Sequence, residues 1–231
     1  MKVIIFGLGN FGMSLALKLT ETGNEVIGID KQMNKVNLIK DKIAHAICLD
    51  ATNELAYDAL PLKDTNIVVV AIGENEGAAI ITTAILKKKT TAQIISRSLS
   101  PIHDTVLSAM KVDKIVHPEQ EAAERLTGKI NLRNVLENFK LDNDYSISEI
   151  NIHREFEGKT LQDLDFRKKY NLNIVTILRE CTKRNLLGNE IQRREVIGIP
   201  TFDTKIQKND ILIVFGNNED IAAFGEKVAN N

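Results

Sequence analysis

The sequence is poor in the residues that mark secreted, metal-binding and membrane-spanning proteins. It has two cysteines in 231 residues, Cys48 and Cys181, and they stand far apart. Two isolated cysteines give neither a disulfide framework nor the paired spacing of a zinc site. No apolar run approaches the roughly 20 residues that a membrane-spanning helix needs. We therefore expect a cytoplasmic protein without an export signal, which reaches a membrane only through a partner.

Neither sign of charge dominates the composition. The chain has 30 lysines and arginines against 31 aspartates and glutamates, which gives a formal net charge of −1. Proteins that bind nucleic acid usually carry a basic surface, because contacts to phosphates supply much of their affinity. The balance of charge therefore predicts no nucleic-acid partner. At this length the chain has room for one large domain or two small ones, each with a sizeable core.

The strongest motif stands at the beginning of the sequence. An apolar run at residues 2–6 is followed at once by GLGNFG at residues 7–12, and residues 13–19 have helical spacing. This is the G-x-G-x-x-G turn between a buried strand and a helix whose amino end binds a pyrophosphate. Asp30 follows the second predicted strand, where a carboxylate accepts hydrogen bonds from ribose hydroxyls. An ordinary solvated aspartate in a turn is the alternative.

Strand-then-helix units repeat through the first half of the chain. We predict strands at residues 2–6, 25–29, 45–49, 66–72, 93–96 and 114–116. Apolar strands that alternate with helices are typical of a parallel sheet covered on both faces. The sequence therefore predicts the α/β class, with a doubly wound Rossmann sheet over residues 1 to about 117. A helix from Glu119 and a crossover at residues 130–139 complete a first domain of residues 1–140.

The hydrophobic period changes after this point. Residues 145–153 alternate with period two, as a half-buried strand does. Further strands are predicted at residues 173–179, 194–199 and 210–215, with helices at residues 160–170 and 219–229. These elements predict a smaller α+β domain over residues 141–231. A polar linker is predicted at Asn138 and residues 142–144, and a charged loop at residues 183–194.

Polar residues and glycines follow several predicted strands, at the edge where open α/β sheets bind ligands. Residues 50–52 (DAT) offer an acceptor beside a small residue, which suits an adenine edge, although a helix N-cap explains them equally. Gly73 either lets backbone approach a ligand or simply ends its strand. Arg97 either donates to phosphates or is a solvated surface arginine. Glu119 is favoured by the helix dipole and offers one oxygen to a hard cation.

No catalytic constellation accompanies these positions. The sequence shows no nucleophile elbow and no Walker lysine, and the second half has no histidine–carboxylate pair in motif spacing. His103, which stands at the start of a helix, is by itself typical of a surface or capping position. A hydride-transfer enzyme needs an acid or base beside the nicotinamide. The absence favours a sensor, not an enzyme, and leaves a small NAD(P)-dependent oxidoreductase as the alternative.

Several short segments occur in an order that resembles a known family. They are residues 5–12 (IFGLGNFG), Asp30, residues 50–52 (DAT), residues 70–73 (VAIG) and residues 117–119 (HPE). In this order they are similar to the N-terminal domain of RCK (regulator of potassium conductance) proteins.

The second half extends the resemblance to the C-terminal RCK domain. The segments are YSISEI at residues 145–150, GKTL at residues 158–161, KY at residues 169–170 and Gly216 after DILIVF. Over its whole length the chain resembles the cytosolic regulatory subunits of Trk/Ktr-type bacterial potassium uptake systems.

This resemblance implies a function and an assembly. It implies a homo-oligomer, a ring of dimers that is commonly an octamer, docked under an integral-membrane potassium-translocating subunit. NAD or NADH, or ATP or ADP, would bind the Rossmann crevice, and ligand exchange would reshape the ring and gate the transporter. An RCK module attached to another channel or efflux partner is equally compatible with these residues.

The resemblance also implies the site residues. The nucleotide positions are Gly7, Leu8, Gly9, Asn10, Phe11, Asp30, Lys31, Gln32, Asp50, Ala51, Thr52, Ile72, Gly73, Glu74, Arg97, His103 and Glu119. Glu119 is the implied ligand of a divalent cation beside the phosphates. In some relatives the C-terminal domain binds cyclic di-AMP at a dimer interface, which implies a site near Arg167, Asn173 and Ile174.

One position departs from the family pattern. Ktr-type proteins often have arginine in the glycine loop, where it meets the terminal phosphate of ATP, whereas this chain has Asn10. The loop therefore lacks one charge-assisted contact, which disfavours strong discrimination of ATP from ADP and favours an NAD-type ligand. The carboxylate of Asp30 disfavours NADP. We expect adenosine contacts at Asp30 and Asp50 to supply affinity and the phosphate end to supply the switch.

Overall fold

The computed structural model describes residues 1–131, 134–184 and 190–229, and its contacts separate Met1–Gln120 from Glu121–Asn231. In the first unit a six-stranded parallel sheet has the order β3-β2-β1-β4-β5-β6. Its strands are β1 (Lys2–Phe6), β2 (Glu25–Asp30), β3 (His45–Cys48), β4 (Ile67–Val70), β5 (Gln93–Arg97) and β6 (Lys114–Val116). Its helices are α1 (Asn10–Glu21), α2 (Met33–Ile39), α3 (Glu76–Lys89) and α4 (Pro101–Ala109). The strand order reverses between β1 and β4, so the predicted Rossmann sheet is confirmed.

Both faces of this sheet are buried, which explains why its strands are apolar runs. Ile4 and Ile5 are adjacent in β1 and both are 0% exposed. Ile4 belongs to a core cluster with Leu86 of α3, whereas Ile5 belongs to a second cluster with Ala16 of α1. Successive side chains of a strand point to opposite faces, so each face requires its own apolar residues.

The second unit contains a five-stranded antiparallel sheet in the order β10-β9-β11-β8-β7. Its strands are β7 (Val135–Lys140), β8 (Tyr145–Asn151), β9 (Asn173–Arg184), β10 (Glu190–Val196) and β11 (Ile211–Asn217). The later helices of the chain are α5 (Pro118–Asn131), α6 (Leu161–Leu164), α7 (Phe166–Tyr170) and α8 (Asn218–Ala229). Phe156, Phe166 and Phe224 pack together with ring centroids 5.5 to 6.2 Å apart. The predicted α+β class of the second half is confirmed.

The domain boundary predicted after residue 140 needs correction. β7 pairs along its length with β8, so Asn138 and its neighbours already belong to the second sheet. The contacts divide the chain between Gln120 and Glu121. The polar residues at 142–144 form the turn of this hairpin, because Asp142 Oδ1 accepts hydrogen bonds from the amides two and three residues later at 2.9 and 2.7 Å. Turns and linkers favour the same polar residues, so composition does not distinguish them.

Two other predictions for the second unit need correction. The helix predicted at residues 160–170 is interrupted at Asp165, whose backbone is left-handed with φ of 42°, so α6 and α7 are separate. The loop predicted at residues 183–194 consists largely of the paired ends of β9 and β10, while residues 185–189 lie outside the described residues. These strand ends are rich in charged residues, so the alternation of apolar and polar residues that predicts a strand is missing there.

Candidate functional site

A cavity of about 440 Å³ lies at the carboxyl ends of the parallel strands, where the strand order reverses. Its lining comes from the glycine loop, from the ends of β2 to β5 and from the first turns of α2, α3 and α5. Ligands of open α/β sheets bind at such a switch point, and the volume is in the usual range of about 300–1,000 Å³ for small-molecule sites.

All the predicted nucleotide positions except Leu8 and His103 line this cavity. The structure therefore brings together residues from six separate stretches of the sequence, from the glycine loop to Glu119. Their juxtaposition agrees with the sequence analysis, while their role as nucleotide ligands stays a prediction.

The glycine loop fits the cavity through two backbone constraints. Gly7 has φ of 97°, a left-handed conformation that an L side chain rarely adopts. Gly12 lies in the first turn of α1, where a Cβ atom would overlap the carbonyl oxygen of Gly7. The helix can therefore approach the loop closely and direct its free amide groups into the cavity. A Cβ atom on Gly9 would meet nothing within 4 Å, so that side of the loop is open.

Asp30 connects the end of β2 to the glycine loop. Its Oδ2 accepts a hydrogen bond from the Leu8 amide at 2.8 Å, and its Oδ1 accepts one from the Gln32 amide at 2.8 Å. Asp30 is 8% exposed, so it is not the solvated aspartate of the alternative interpretation. A carboxylate has about four acceptor positions, which leaves capacity for ribose hydroxyls.

Leu8, which is one of the predicted nucleotide positions, does not line the cavity. Leu8 is 1% exposed and packs in the core cluster that contains Ile5 and Ala16. Its contribution is the amide that Asp30 holds. The position fits the family motif, but the motif cannot distinguish a backbone contribution from a side-chain one.

Asp50 forms a local turn at the end of β3. Its Oδ1 accepts hydrogen bonds from the amide and the hydroxyl of Thr52 at 2.9 and 2.7 Å, and these bonds hold the pKa of Asp50 below its ordinary value. The helix N-cap at this point is Asn53, whose side chain accepts from the Leu55 amide. The N-cap alternative for Asp50 and Thr52 is therefore wrong, and the ionised carboxylate lines the cavity.

Arg97 and Glu119 form an ion pair at the other end of the cavity. Arg97 Nη2 donates to Glu119 Oε1 at 2.5 Å, and the Arg97 side chain is 15% exposed. Arg97 is therefore not a solvated surface arginine. A Cβ atom on Gly73 would overlap the guanidinium, so the glycine permits Arg97 to pass close to the backbone. Within the described part of the chain, the buried Nε of Arg97 has no hydrogen-bond partner.

Sequence reasoning missed Lys35, which also lines the cavity. Its Nζ lies 3.1 Å from Glu74 Oε1 and 4.0 Å from Asp30 Oδ2. The signal was available, because Lys35 stands three residues after Gln32 and so lies on the same side of the first turn of α2. The other missed residues are uncharged wall positions, which carry little chemical signal in a sequence: Ile29, Leu49, Ala71, Asn75 and Ala78.

The predicted place of His103 in the nucleotide site needs correction. His103 lies in the first turn of α4, is 0% exposed and does not line the cavity. Neither of its ring nitrogens has a hydrogen-bond partner among the described residues. Burial lowers the pKa of His103. The alternative of a surface histidine is wrong as well, because the ring is fully covered.

A second histidine, His117, lies between β6 and α5 and has a polar partner. Its Nε2 lies 2.8 and 2.9 Å from the two carboxylate oxygens of Asp104 in α4. Hydrogen bonds from Ser98 and His117 hold the pKa of Asp104 below its ordinary value. The pair connects the first turn of α4 to the residue before α5.

Three other features of the described residues concern the predicted cation, the membrane and cyclic di-AMP. Across residues 1–131, 134–184 and 190–229, no group of three or more histidines, cysteines or acidic residues could hold a metal ion. A cation at Glu119 would therefore depend on ligand phosphates and water. None of the described helices has the length and apolar character that crossing a membrane requires. In the second unit Arg167 Nε donates to Asn173 Oδ1 at 3.0 Å, which brings two of the residues implied for cyclic di-AMP together.

Comparison with known proteins identifies the family. The TrkA-N domain model matches residues 3–118, and the TrkA-C domain model matches residues 147–229. The chain is 38% identical over 224 residues to the Ktr system potassium uptake protein C of Bacillus subtilis (strain 168), which covers 97% of this chain and 96% of that protein. The chain belongs to the TrkA/Ktr family. The resemblance found in the sequence is confirmed.

Two further relatives of this TrkA/Ktr protein extend the comparison. The Ktr system potassium uptake protein A of the same organism is 30% identical over 95% of this chain and 93% of its own length. The solved structure of the GsuK channel bound to NAD matches 98% of this chain and 39% of that chain with a TM-score of 0.60. At a sequence identity of 15%, this structural match shows a shared fold alone.

The buried ring of His103 predicts a pH dependence of stability. As the pH falls through about 6.5, the ordinary histidine pKa, the unfolded chain binds a proton that the folded chain with its lowered pKa does not yet bind. The free energy of unfolding should therefore fall between pH 7.5 and pH 5.5. We expect the midpoint temperature of His103→Phe to depend less on pH over this range. His45→Phe, at an exposed position on β3, is the control. If the midpoint temperature of His103→Phe changed with pH as steeply as that of the parent protein, the result would contradict this account.

Proposed function

We propose that this protein is a cytosolic nucleotide-sensing regulatory subunit of a membrane potassium uptake system. The observation that supports it most is the end-to-end similarity, over both domains, to the Ktr system potassium uptake protein C. The cavity of the first unit supplies the sensing site. In this proposal the protein forms a ring of dimers, an octamer, and reaches the membrane only by docking to the integral-membrane subunit.

The composition of the cavity favours a sensor over an enzyme. Its described lining contains no histidine, cysteine or tyrosine that could exchange a proton with a substrate at neutral pH. Its acidic residues include Glu74 and Glu119, which are paired with Lys35 and Arg97. A small oxidoreductase would need an acid or base beside the nicotinamide, so we place that function second.

The charges of the lining favour a ligand of modest charge. Four carboxylates, those of Asp30, Asp50, Glu74 and Glu119, face the cations of Lys31, Lys35 and Arg97. A free triphosphate would bring a large negative charge to a lining in which two of these cations are already paired. NAD or NADH carries its charge on a pyrophosphate that the amino end of α1 can bind. The GsuK channel, which has the same fold, has been solved with NAD bound.

ADP and ATP would require help at the phosphate end. We propose that a divalent cation bound to phosphates and to Glu119 offsets the carboxylate when such a nucleotide binds. Asn10 in the glycine loop supplies no positively charged side chain for a terminal phosphate. In the second unit, the neighbouring residues Arg167, Asn173 and Ile174 are the proposed contact for cyclic di-AMP.

The proposed switch separates affinity from signal. Adenosine contacts at Asp30 and Asp50 should be similar for every adenine nucleotide, so they cannot distinguish two ligands. A ligand shifts a conformational equilibrium only through different affinities for the two states. Phosphates reach the Arg97–Glu119 pair, and Glu119 lies in the first turn of α5, the helix that leads into the second unit. We therefore assign the signal to the phosphate end.

The partner and the assembly can be tested together. We expect the protein to copurify with an integral-membrane potassium-translocating subunit and to run as a large homo-oligomer in size-exclusion chromatography with light scattering. Titration of the isolated oligomer with NAD, ADP and ATP should show saturable binding. A monomer that binds no nucleotide would contradict the proposed function.

The site assignment predicts the effect of Asp30→Ala. The substitution should weaken binding of NAD and ADP about 100-fold or more, because it removes charge-assisted hydrogen bonds of about 1.5–3 kcal/mol each and releases the glycine loop. Isothermal titration calorimetry measures the change. Asp41→Ala, at an exposed position after α2, is the matched control and should bind as the parent protein does. Unchanged affinity in Asp30→Ala would overturn the site assignment.

Asn10→Arg should alter the choice of nucleotide. An added guanidinium at this exposed position of the loop can reach a terminal phosphate, so we expect affinity for ATP to rise about five- to tenfold relative to ADP. Competition titrations with both nucleotides measure this ratio. Asn10→Gln lengthens the side chain without adding charge and should leave the ratio unchanged. Equal gains for both nucleotides, or a gain in Asn10→Gln, would contradict the role of charge at this position.

A further inference from the structure

The start of α5 is held by polar contacts, not by packing. β6, which precedes it, is a three-residue strand at the edge of the sheet. Residues 119–127 of α5 are exposed, so no buried face fixes the helix direction over its first turns. The residues from Val116 to Pro118, which directly precede Glu119, are therefore in a position to set the direction of its side chain.

Three successive residues supply that control. The carbonyl oxygen of Val116 accepts a hydrogen bond from the Ser98 amide at 3.0 Å, which extends the pairing of β5 and β6. His117 follows and contacts both carboxylate oxygens of Asp104 at 2.8 and 2.9 Å. Pro118 then begins α5, a position where its restricted φ suits the helix. Of these contacts, the His117–Asp104 bridge is formed by side chains alone, and it connects the start of α5 to a different helix, α4.

Asp104 is a firm attachment point for this bridge. It lies in the first turn of α4, where the helix dipole favours a negative charge. The amino end of α4 is itself capped by the Ser100 hydroxyl, which accepts a hydrogen bond from the amide of His103 at 3.2 Å. The fully buried His103 and Leu107 anchor α4 on the sheet. A contact to Asp104 therefore connects the start of α5 to a packed helix.

The Arg97–Glu119 ion pair weakens the attraction of the cavity for a phosphate. Glu119 Oε1 accepts from Arg97 Nη2, so the guanidinium that faces the cavity is already neutralised. A phosphate that approaches Arg97 meets the carboxylate as a like charge, and like charges a few ångströms apart repel. Adenosine, which has no phosphate, does not meet this repulsion.

We propose that the His117–Asp104 bridge is a positioning device that holds Glu119 against Arg97 and so lowers the affinity of the cavity for phosphate-bearing ligands. This inference rests on the proposed function, in which an adenine nucleotide occupies the cavity. His117 and Asp104 do not line the cavity, so they act through Glu119. The bridge makes the protein respond to the phosphates of a ligand separately from its adenosine.

The test compares two ligands on the full-length protein. Calorimetry with adenosine and with ADP, in the presence of EDTA to remove divalent cations, gives the ratio of their affinities. His117→Ala should raise the affinity for ADP relative to adenosine about three- to tenfold. The reason is that a displaced Glu119 no longer neutralises Arg97, which can then attract the phosphates. Glu119→Gln should give a rise of similar size. A variant that has only lost folded protein would instead show reduced binding of both ligands.

Matched variants separate positioning from general damage. His117→Gln keeps an N–H donor near the place of Nε2 and should restore the parent ratio. The double variant His117→Ala/Glu119→Gln should match Glu119→Gln, because a bridge that acts through Glu119 has no effect once that charge is gone. Asp104→Asn tests the bridge from its other side if the histidine variant fails to fold.

The outcomes are distinct. An unchanged or lowered ADP-to-adenosine ratio in His117→Ala and Asp104→Asn overturns the positioning role while leaving the proposed function intact. Additive effects in the double variant overturn it as well. Failure of the parent protein to bind adenosine, ADP or NAD overturns the proposed function and this inference together.

Discussion

The hydrogen bonds of the Asp30 carboxylate are the contacts on which the cavity depends. β1 and β2 end side by side, and a loop leaves each of them in a different direction. Asp30 accepts the Leu8 amide from one loop and the Gln32 amide from the other, both at 2.8 Å. A carboxylate that accepts hydrogen bonds from two backbone amides is held in one orientation. These two bonds fix the shape of the glycine loop, and with it the direction of the amino end of α1.

The parts of this structure that could be predicted from sequence are those in which burial constrains residue type. Ile4 and Ile5 are apolar because both faces of the sheet are covered, and Gly12 is a glycine because a Cβ atom would overlap the Gly7 carbonyl. The Rossmann sheet and the glycine loop followed from such positions. The resemblance to RCK proteins added positions without a local signal, such as Gln32 and Glu74. Family motifs thus supplied what periodicity alone could not.

The predictions that failed concern residues whose role depends on direction or distance. The family resemblance implies His103 as a site residue, yet the helix turns its ring into the core. Lys35 has only its spacing from Gln32 as a signal, and the first turn of α2 brings it to within 3.1 Å of Glu74. Asp142 lies in a hairpin turn and not in a linker, and the two use the same polar residues. In each case the deciding fact is a rotation or a pairing that only the folded chain defines.

The paired charges of the cavity fit the sensing role proposed for this chain. In the proposed mode of binding, Lys35–Glu74 lies near the ribose and Arg97–Glu119 lies near the phosphates, so a nucleotide would meet an ion pair at each end of the cavity. An enzyme of this fold needs at least one group that is free to take or give a proton. In this chain the carboxylates of Glu74 and Glu119 are each paired with a cation. Under the proposed function, ligand binding would be a rearrangement of ion pairs, and because one of these pairs includes the first turn of α5, the rearrangement would begin on the helix that continues into the second unit.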